Sequence, residues 1–204
     1  MAVTSPLNPA DRFLLRSAGA LPALKESDFR DLADGARGIR LERGECLFQQ
    51  GEAAEAVFFV LQGWVSLQRD QADGTRTVIK IVGPGESIGE ALLAPGTRYP
   101  LGAEAVCPVR LAKMESMRLR ALIAANPSLG LSVLAASCRQ LAGLVDQIEH
   151  LKSWPIERRL ADMLLQMCQC AEGACCFNLP VEQNVIAARL AVTPPTLSRV
   201  FRKL

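Results

Sequence analysis

The chain has 204 residues, half of them hydrophobic, and a net charge of +2, so it can bury a core and is not a disordered charged tail. The start of the sequence lacks a signal-peptide pattern, and no uninterrupted apolar run approaches the roughly 20 residues of a membrane helix. Seven cysteines without a secreted spacing pattern predict a cytoplasmic protein, and the lack of a long apolar run predicts that it does not act at a membrane.

Charge is uneven along the chain. Residues 1–151 carry 16 Lys and Arg against 17 Asp and Glu, whereas residues 152–204 carry seven against four. Arg199, Arg202 and Lys203 lie among the last six residues, which contain no acid. A basic end on a neutral body indicates a polyanionic partner.

The first half of the chain reads as short strands. Before them, Ser27 is placed to cap a short helix that runs through Ala33. The segments VFFVLQ (57–62), VSLQR (65–69) and TVIKIV (77–82) are rich in β-branched and aromatic residues, and Asp73-Gly74 between the last two is a strong hairpin signal. Regular strands with turn signals every ten or so residues predict a sandwich or a barrel-like roll.

From about Glu115 the hydrophobic period becomes helical, and Pro127-Ser128 opens a long helix that ends at Trp154-Pro155. Its apolar residues recur at heptad spacing, so the helix has one apolar stripe that needs a partner. The stripe packs either on the roll of its own chain or, as we favour, on a second copy in a homodimer. The predicted dimer seam consists of Leu134, Leu141, Leu144, Ile148 and Leu151.

A new unit begins at Pro155. One apolar helical face is followed by CCFNLPV (175–181), a possible hairpin strand, and then by two short helices at about 184–191 and 194–204.

The segment NVIAARLAVTPPTLSRVF (184–201) has the features of a helix-turn-helix. A small residue, Ala187, lies where the two helices cross; Ala191 lies at the turn, where glycine is commoner; and Thr193 is a good N-cap. Prolines in the first helical turn cost little, because those N–H groups have no partner within the helix. The second helix presents side chains that suit bases and phosphates. The predicted DNA-binding residues are Thr193, Pro195, Thr196, Ser198, Arg199, Arg202 and Lys203.

This arrangement of roll, long helix and helix-turn-helix resembles the cyclic-AMP receptor protein/fumarate-nitrate regulator (CRP/FNR) superfamily of bacterial transcription factors. The stretches RGECLFQQGE (43–52) and VFFVLQGWVSLQR (57–69) are similar to the first roll strands of the family. The stretch DGTRTVIKIVGPGESIGEALL (73–93) is similar to its central strands and G-E-x-x-G-E turn, and TPPTLSRVFRKL (193–204) to its recognition helix.

The resemblance implies an α+β chain in three parts. Residues 1–125 would form an effector-sensing, cyclic-nucleotide-binding-like β-roll (a jelly roll) with short N-terminal helices. Residues 126–153 would form the dimerisation helix, and residues 154–204 a winged helix-turn-helix whose wing is missing, because the sequence stops at Leu204. The implied partners are a palindromic double-stranded DNA site, a second copy of the chain and RNA polymerase.

The effector is harder to read from the sequence. The resemblance places the effector pocket at Gly89, Glu90, Ala91, Leu92, Arg98, Tyr99 and Pro100. Members of the family that bind cyclic nucleotides carry an Arg-Ser pair that neutralises the cyclic phosphate. Counted from the turn, that position holds Pro100-Leu101, and Arg98 is two residues early, so a cyclic nucleotide is not the expected ligand.

The stretch Arg98-Tyr99-Pro100 resembles the nitrogen-oxide-responsive branch of the family, the DNR and NnrR regulators, which implies nitric oxide sensing through haem. The one histidine that could ligate haem is His150, at the end of the long helix. An iron–sulfur cluster is not expected, because no cysteine precedes Cys46. A denser group, Cys168, Cys170 and Cys175 with Cys176, could bind a metal, form a redox disulfide or serve a structural role.

The sequence therefore predicts a DNA-binding regulator that responds to a small-molecule, gas or redox signal. Two alternatives remain: a cyclic-nucleotide-responsive regulator, and a ligand- or redox-sensing module without DNA-binding function. An enzyme is not expected, because the chain has no Walker lysine motif, no H-E-x-x-H and no plausible catalytic triad.

Overall fold

Nine strands and seven helices make up the part of the chain that the structure, a computed structural model, describes: residues 3–18, 21, 24–71, 75–89, 96–167, 179 and 182–203. In chain order these elements are β1 (Val3–Pro6), α1 (Pro9–Arg16), α2 (Glu26–Gly35), β2 (Arg37–Leu41), β3 (Cys46–Phe48), β4 (Ala56–Gln62), β5 (Val65–Asp70), β6 (Arg76–Val82), β7 (Ser87–Ile88), β8 (Gly102–Ala105), β9 (Val109–Glu115), α3 (Ser116–Ala125), α4 (Pro127–Ser153), α5 (Ile156–Met167), α6 (Gln183–Arg189) and α7 (Pro194–Phe201).

The strands form two antiparallel sheets, as expected of a roll. One sheet has the order β1-β2-β9-β4-β7 and the other the order β3-β8-β5-β6. The predicted strands at 57–62, 65–69 and 77–82 are confirmed as β4, β5 and β6. Strands β5 and β6 pair from Val65 opposite Val82 to Asp70 opposite Arg76, as a hairpin requires, and the Asp73-Gly74 turn itself lies outside the described residues.

Strand β4 is buried on both faces, which explains its unbroken apolar run. Residues 56, 58 and 60 belong to a core cluster whose other members come from both sheets, whereas residues 57, 59 and 61 belong to a second cluster whose other members come mostly from the helices. Successive side chains of a strand point to opposite faces, so one segment serves both cores. The roll thus buries most of its large apolar side chains within its own fold, with Ile79 of β6 as an exposed exception.

The N-terminal segment is fixed to the roll by a buried ion pair. The Asp11 carboxylate accepts two hydrogen bonds from the Arg110 guanidinium, and it caps its own helix by accepting from the Asn8 backbone N–H. The Asp11 side chain is 4% exposed and that of Arg110 15%. These hydrogen bonds hold the pKa of Asp11 below its usual range, despite burial, and the pKa of Arg110 is raised by the same contact.

Two local predictions need correction. Helix α2 begins at Glu26 and runs to Gly35, its N-cap is Lys25, and Ser27 lies inside the first turn with its hydroxyl donating to Asp28. The expectation of no membrane-spanning segment also needs a qualification. Among the described helices, α4 alone is long and apolar enough to cross a bilayer, with a mean hydropathy of 1.3, a test of length and composition that a core helix of a soluble protein also passes.

Helix α4 extends over the predicted long run, and α5 over the apolar face that follows it. The possible strand at 175–181 lies outside the described residues. The chain divides into two compact units, Met1–Arg139 and Gln140–Leu204, with the boundary inside α4. The second unit contains α5, α6 and α7.

Candidate functional site

Helices α6 and α7 form a helix-turn-helix whose tight turn is made by Ala191. This residue has φ +52°, the only positive φ outside glycine in the described chain. Its N–H donates to the Ala188 carbonyl, and the N–H of Val192 donates to the Ala187 carbonyl. These two bonds form the Schellman motif, which ends a helix and normally uses glycine at the left-handed position. The turn was therefore predicted at the right residue.

A small apolar core holds the two helices together. Ile186, Ala187 and Leu190 are buried on α6, and Leu197 and Val200 are buried on α7. Leu197 and Val200 occupy one side of α7, so the other side is free to face a partner.

The free side of α7 carries most of the predicted DNA-binding residues. Thr193 and Pro195 are exposed in the first turn, Arg199 is exposed one turn later, and Arg202 and Lys203 follow the end of the helix. The Nε of Arg199 donates to the Pro195 carbonyl at 3.3 Å, and Lys203 Nζ lies 3.3 Å from the Glu157 carboxylate.

The three hydroxyl residues of the predicted set differ in their surroundings. Thr193 is the N-cap of α7 by position, but its side chain does not bond the helix backbone. Its hydroxyl lies 3.0 Å from that of Thr196. Ser198 is half-buried between the exposed and buried sides of the helix.

Arg159 connects α5 to the turn and was missed by sequence reasoning. Its Nη1 donates to the Leu190 carbonyl at 3.1 Å. This carbonyl, at the end of α6, thereby receives a hydrogen bond. Its Nε is buried and has no hydrogen-bond partner among the described residues. The only signal in the sequence was a basic pair, Arg158-Arg159, at the start of an amphipathic helix.

His150, Trp154 and Arg158 form a stack at the junction of α4 and α5. The imidazole and indole centroids lie 3.5 Å apart, and the Arg158 guanidinium lies 3.8 Å from the indole ring on which it packs. His150 is therefore half-buried against an aromatic ring, in a cation–π and stacking arrangement.

The predicted dimer seam is exposed along α4. Leu134, Leu141, Leu144, Ile148 and Leu151 are between 41% and 63% exposed in the single chain. Leu131 and Val145, which sequence reasoning did not include, are 69% and 63% exposed and continue the same spacing. The free thiol Cys138 is also exposed, four residues after Leu134 and three before Leu141. This stripe, defined as residues 131, 134, 138, 141, 144, 145, 148 and 151, occupies one face of α4.

The predicted effector pocket is described in part, because Glu90, Ala91 and Leu92 lie outside the described residues. Gly89 has φ +94°, and a Cβ there would lie 3.2 Å from the Ala56 carbonyl and 3.5 Å from the Tyr99 ring. Arg98 is exposed, and its Nη1 donates to the Gly51 carbonyl at 2.7 Å. Pro100 is exposed beside it. The Arg98 guanidinium is thus engaged by backbone.

Tyr99 is part of the roll core. It is 4% exposed, and its ring stacks on Phe48 with centroids 3.7 Å apart. Its hydroxyl donates to the Ala56 carbonyl at 2.6 Å, and burial raises the pKa of the phenol. Of the described pocket residues, Gly89 and Tyr99 meet at Ala56, whereas the Arg98 side chain is directed to Gly51 instead.

The described residues contain no ready-made metal-ion site, and the haem candidate His150 is packed on an aromatic ring. No group of three or more His, Cys, Asp or Glu side chains among them could hold a metal ion. The roll sequence contains no histidine, and His150 packs on Trp154. Burial raises the pKa of the Cys46 and Cys107 thiols, which disfavours the thiolate that would ligate iron. The cysteines Cys168, Cys170 and Cys175 lie outside the described residues.

Two family models match the chain, one on each side of α4. Residues 39–126 match the cyclic nucleotide-binding domain, and residues 158–204 match the Crp-like helix-turn-helix domain. The two matches agree with the roll and with the helices α5 to α7.

The chain is also similar to individual proteins over most of its length. A protein of Ruegeria pomeroyi DSS-3, described provisionally as cyclic nucleotide binding, is 36% identical, with a TM-score of 0.74 over 96% of this chain and 86% of that one. The CRP-like cAMP-activated global transcriptional regulator of Mycobacterium tuberculosis is 27% identical over 157 residues, which are 76% of this chain and 70% of its own. DNR from Pseudomonas aeruginosa is 25% identical, with a TM-score of 0.58 over 98% of this chain and 89% of that one.

Proposed function

The chain belongs to the CRP/FNR family of DNA-binding transcriptional regulators, and from that premise we propose that it acts as a cytoplasmic homodimer on a palindromic DNA site. The observation that carries the proposal is the helix-turn-helix. Its buried apolar core on one side of α7 leaves Pro195, Arg199 and Arg202 free on the other. A helix with this exposure and positive charge suits the major groove of DNA.

The homodimer is supported by the exposed stripe on α4. Seven large apolar side chains at heptad spacing, each at least 41% exposed, form an unfinished interface rather than scattered surface residues. In a dimer with a two-fold axis, the stripe of each copy would pack against the stripe of the other copy. Two recognition helices would then meet successive major grooves, which is why we propose a palindromic site.

Domain roles follow the family. Residues 1–125 receive the signal, residues 126–153 dimerise and residues 154–204 bind DNA, with RNA polymerase as a further partner and no catalytic activity. The signal is a small molecule, a gas or a redox change. Nitric oxide sensed through haem is one form of that signal, and among the described residues His150, which packs on Trp154, is the histidine that would ligate the haem. A cyclic nucleotide is the second candidate, favoured by the match of residues 39–126 to the cyclic nucleotide-binding domain.

DNA binding is tested with the full chain and a site selected from a random DNA pool. Affinity measured by fluorescence anisotropy should fall steeply with salt, since each neutralised phosphate adds about 0.9 to the slope of log K against log salt. Arg199→Ala should remove the preference for the selected site, whereas Lys203→Ala should weaken all DNA alike. No binding at low salt, or equal losses from both variants, would contradict the proposed roles.

Cys138 gives a direct test of the parallel dimer. Pairing of two stripes in register brings the two Cys138 residues together, and a disulfide needs Cα atoms within about 7 Å. Oxidation by copper phenanthroline, in which two thiols lose two electrons to Cu(II) and release two protons, should give a covalent dimer on non-reducing gels. Cys138→Ser should abolish that product while the other cysteines remain. A crosslink that persists in Cys138→Ser would contradict this register.

A further inference from the structure

The first turn of α7 has an unusual chemical surface for a helix that reads DNA. Pro194 and Pro195 are both exposed there, and each offers an apolar ring with no side-chain donor or acceptor. The neighbouring hydroxyls of Thr193 and Thr196 lie 3.0 Å apart and share one hydrogen bond. The end of the helix that approaches base edges therefore carries two adjacent apolar rings between its hydroxyls.

Pro195 is the proline that faces away from the protein. Leu197 and Val200 define the buried side of α7, and Pro195 lies about half a turn round from the midpoint between them. Arg202 shares this outward side and Arg199 lies next to it. Pro194 lies at the flank. The base-facing position of the first turn is thus occupied by Pro195.

Arg199 lies one turn later and is oriented by Pro195 itself. Its Nε donates to the Pro195 carbonyl at 3.3 Å, and no contact among the described residues occupies its Nη1 or Nη2. Those two nitrogens form the fork that bonds the O6 and N7 of guanine. Four residues of helix rise about 6 Å, and base pairs are stacked about 3.4 Å apart, so the two side chains lie one or two base pairs apart along the groove.

In the major groove only thymine presents an apolar group, its C5-methyl, whereas cytosine presents an amino donor that an apolar ring would leave unsatisfied. We propose that Pro195 is a specificity-determining residue that reads a thymine methyl one or two base pairs from a guanine read by Arg199. This inference rests on the proposed DNA-binding function, and it adds the identity of one base that the chain reads.

The experiment replaces thymine by deoxyuridine, which removes only the methyl group. The full chain is bound to its selected site, and each thymine of one half-site is replaced in turn. One position should lose about fourfold in affinity, the value of one buried methyl-sized group. This scan uses the unmodified protein, so it does not depend on whether a variant folds.

Two matched variants assign the effect to one ring. In Pro195→Ser the deoxyuridine penalty should disappear, whereas Pro194→Ser should retain it. Pro195→Glu should change the preference at the same base pair from thymine to cytosine, because a carboxylate accepts from the cytosine amino group.

The outcomes separate this inference from the function beneath it. If the chain does not bind DNA at low salt, the proposed function itself is wrong. If binding is sequence-specific and salt-dependent but thymine and deoxyuridine bind equally at every position, the function stands and the role of Pro195 is overturned. A penalty that survives in Pro195→Ser and disappears in Pro194→Ser would also overturn it.

Discussion

The two compact units of the chain differ in where their interacting groups are directed. In the first unit, β4 contributes side chains to two cores, and Asp11 and Arg110 form an ion pair with little exposure to solvent. Tyr99, which was predicted to line the effector pocket, is packed in the core of the roll. In the second unit, large apolar side chains of α4 and the outward face of α7 remain exposed. The roll has its core within one chain, whereas the stripe of α4, which begins in the first unit, and the face of α7 are the surfaces to which we assign a second copy and DNA.

This contrast predicts that mutations in the core of the roll change stability, whereas mutations in the stripe of α4 or on the outward face of α7 change association. The largest expected effect is on the stripe of α4. Leu141→Glu places a charge in each half of the dimer seam and removes about 2 kcal/mol of burial per copy, so dimerisation should weaken at least about a thousandfold. Sedimentation velocity over a range of concentrations measures this loss.

The matched control is Gly143→Glu, on the far side of α4 from the stripe. A Cβ at Gly143 meets no atom within 4 Å, so the same charge should leave dimerisation unchanged there. If both variants stay dimeric, the stripe is not the seam. If Leu141→Glu unfolds the roll instead, the contrast between the units fails.

In the first unit, the Asp11 pair should give the largest effect on stability. Asp11→Asn leaves the Arg110 guanidinium buried without a counter-charge, which costs about 3 kcal/mol in the free energy of unfolding. Because the folded-state pKa of Asp11 is lowered, its contribution is present above pH 4 and is lost as pH falls below about 4. Urea unfolding at pH 7 and at pH 3 should show the gap between wild type and variant closing in acid.

Arg12→Gln is the control for that experiment. Arg12 lies next to Asp11 on α1 and forms an exposed ion pair with Asp34 of α2, and such exposed pairs contribute about 0–1 kcal/mol. A loss as large as that of Asp11→Asn, or an effect of Asp11→Asn on dimerisation, would contradict the division between the units.

How far the sequence could be read depended on the range of each interaction. Helix α7, its N-cap position and the turn at Ala191 were predicted because their signals lie within a few residues. The pairs Asp11–Arg110 and Tyr99–Ala56 were not predicted, since their members are 99 and 43 residues apart. Tyr99 was assigned to the effector pocket because its position in a loop can be predicted from the sequence, whereas its packing in the core of the roll cannot. Lys25 replaced Ser27 as the cap because tertiary packing set the start of α2.

Tyr99 offers a test of how completely the roll is packed. Tyr99→Phe removes the hydroxyl that bonds the Ala56 carbonyl, so stability at neutral pH should fall by about 1 kcal/mol. Burial raises the pKa of Tyr99, so this phenol stabilises the fold below pH 10 and that contribution is lost as pH rises through its folded-state value. The variant should therefore be less sensitive to alkali than wild type.

Tyr99 is the single tyrosine of the chain, so the ultraviolet absorbance of tyrosinate reports its ionisation directly. The midpoint in the folded protein should lie above that in urea. A midpoint equal to the unfolded value would show that the ring is accessible, which would favour a role in an open effector pocket over one in the core.

The smallest expected effect lies in the turn of the second unit. The left-handed backbone conformation of Ala191 is unfavourable for a residue with a Cβ but not for glycine. Ala191→Gly should therefore stabilise the helix-turn-helix by about 0.5–1 kcal/mol. Ala188 is exposed and lies in the middle of α6. Ala188→Gly should destabilise the helix-turn-helix by a similar amount, because glycine raises the conformational entropy of the unfolded chain. Thermal unfolding followed by circular dichroism measures both. Since neither residue lies on α7, DNA affinity should be equal in the two variants, and opposite signs of stability with unchanged affinity would separate the fold of this unit from the surface it presents to DNA.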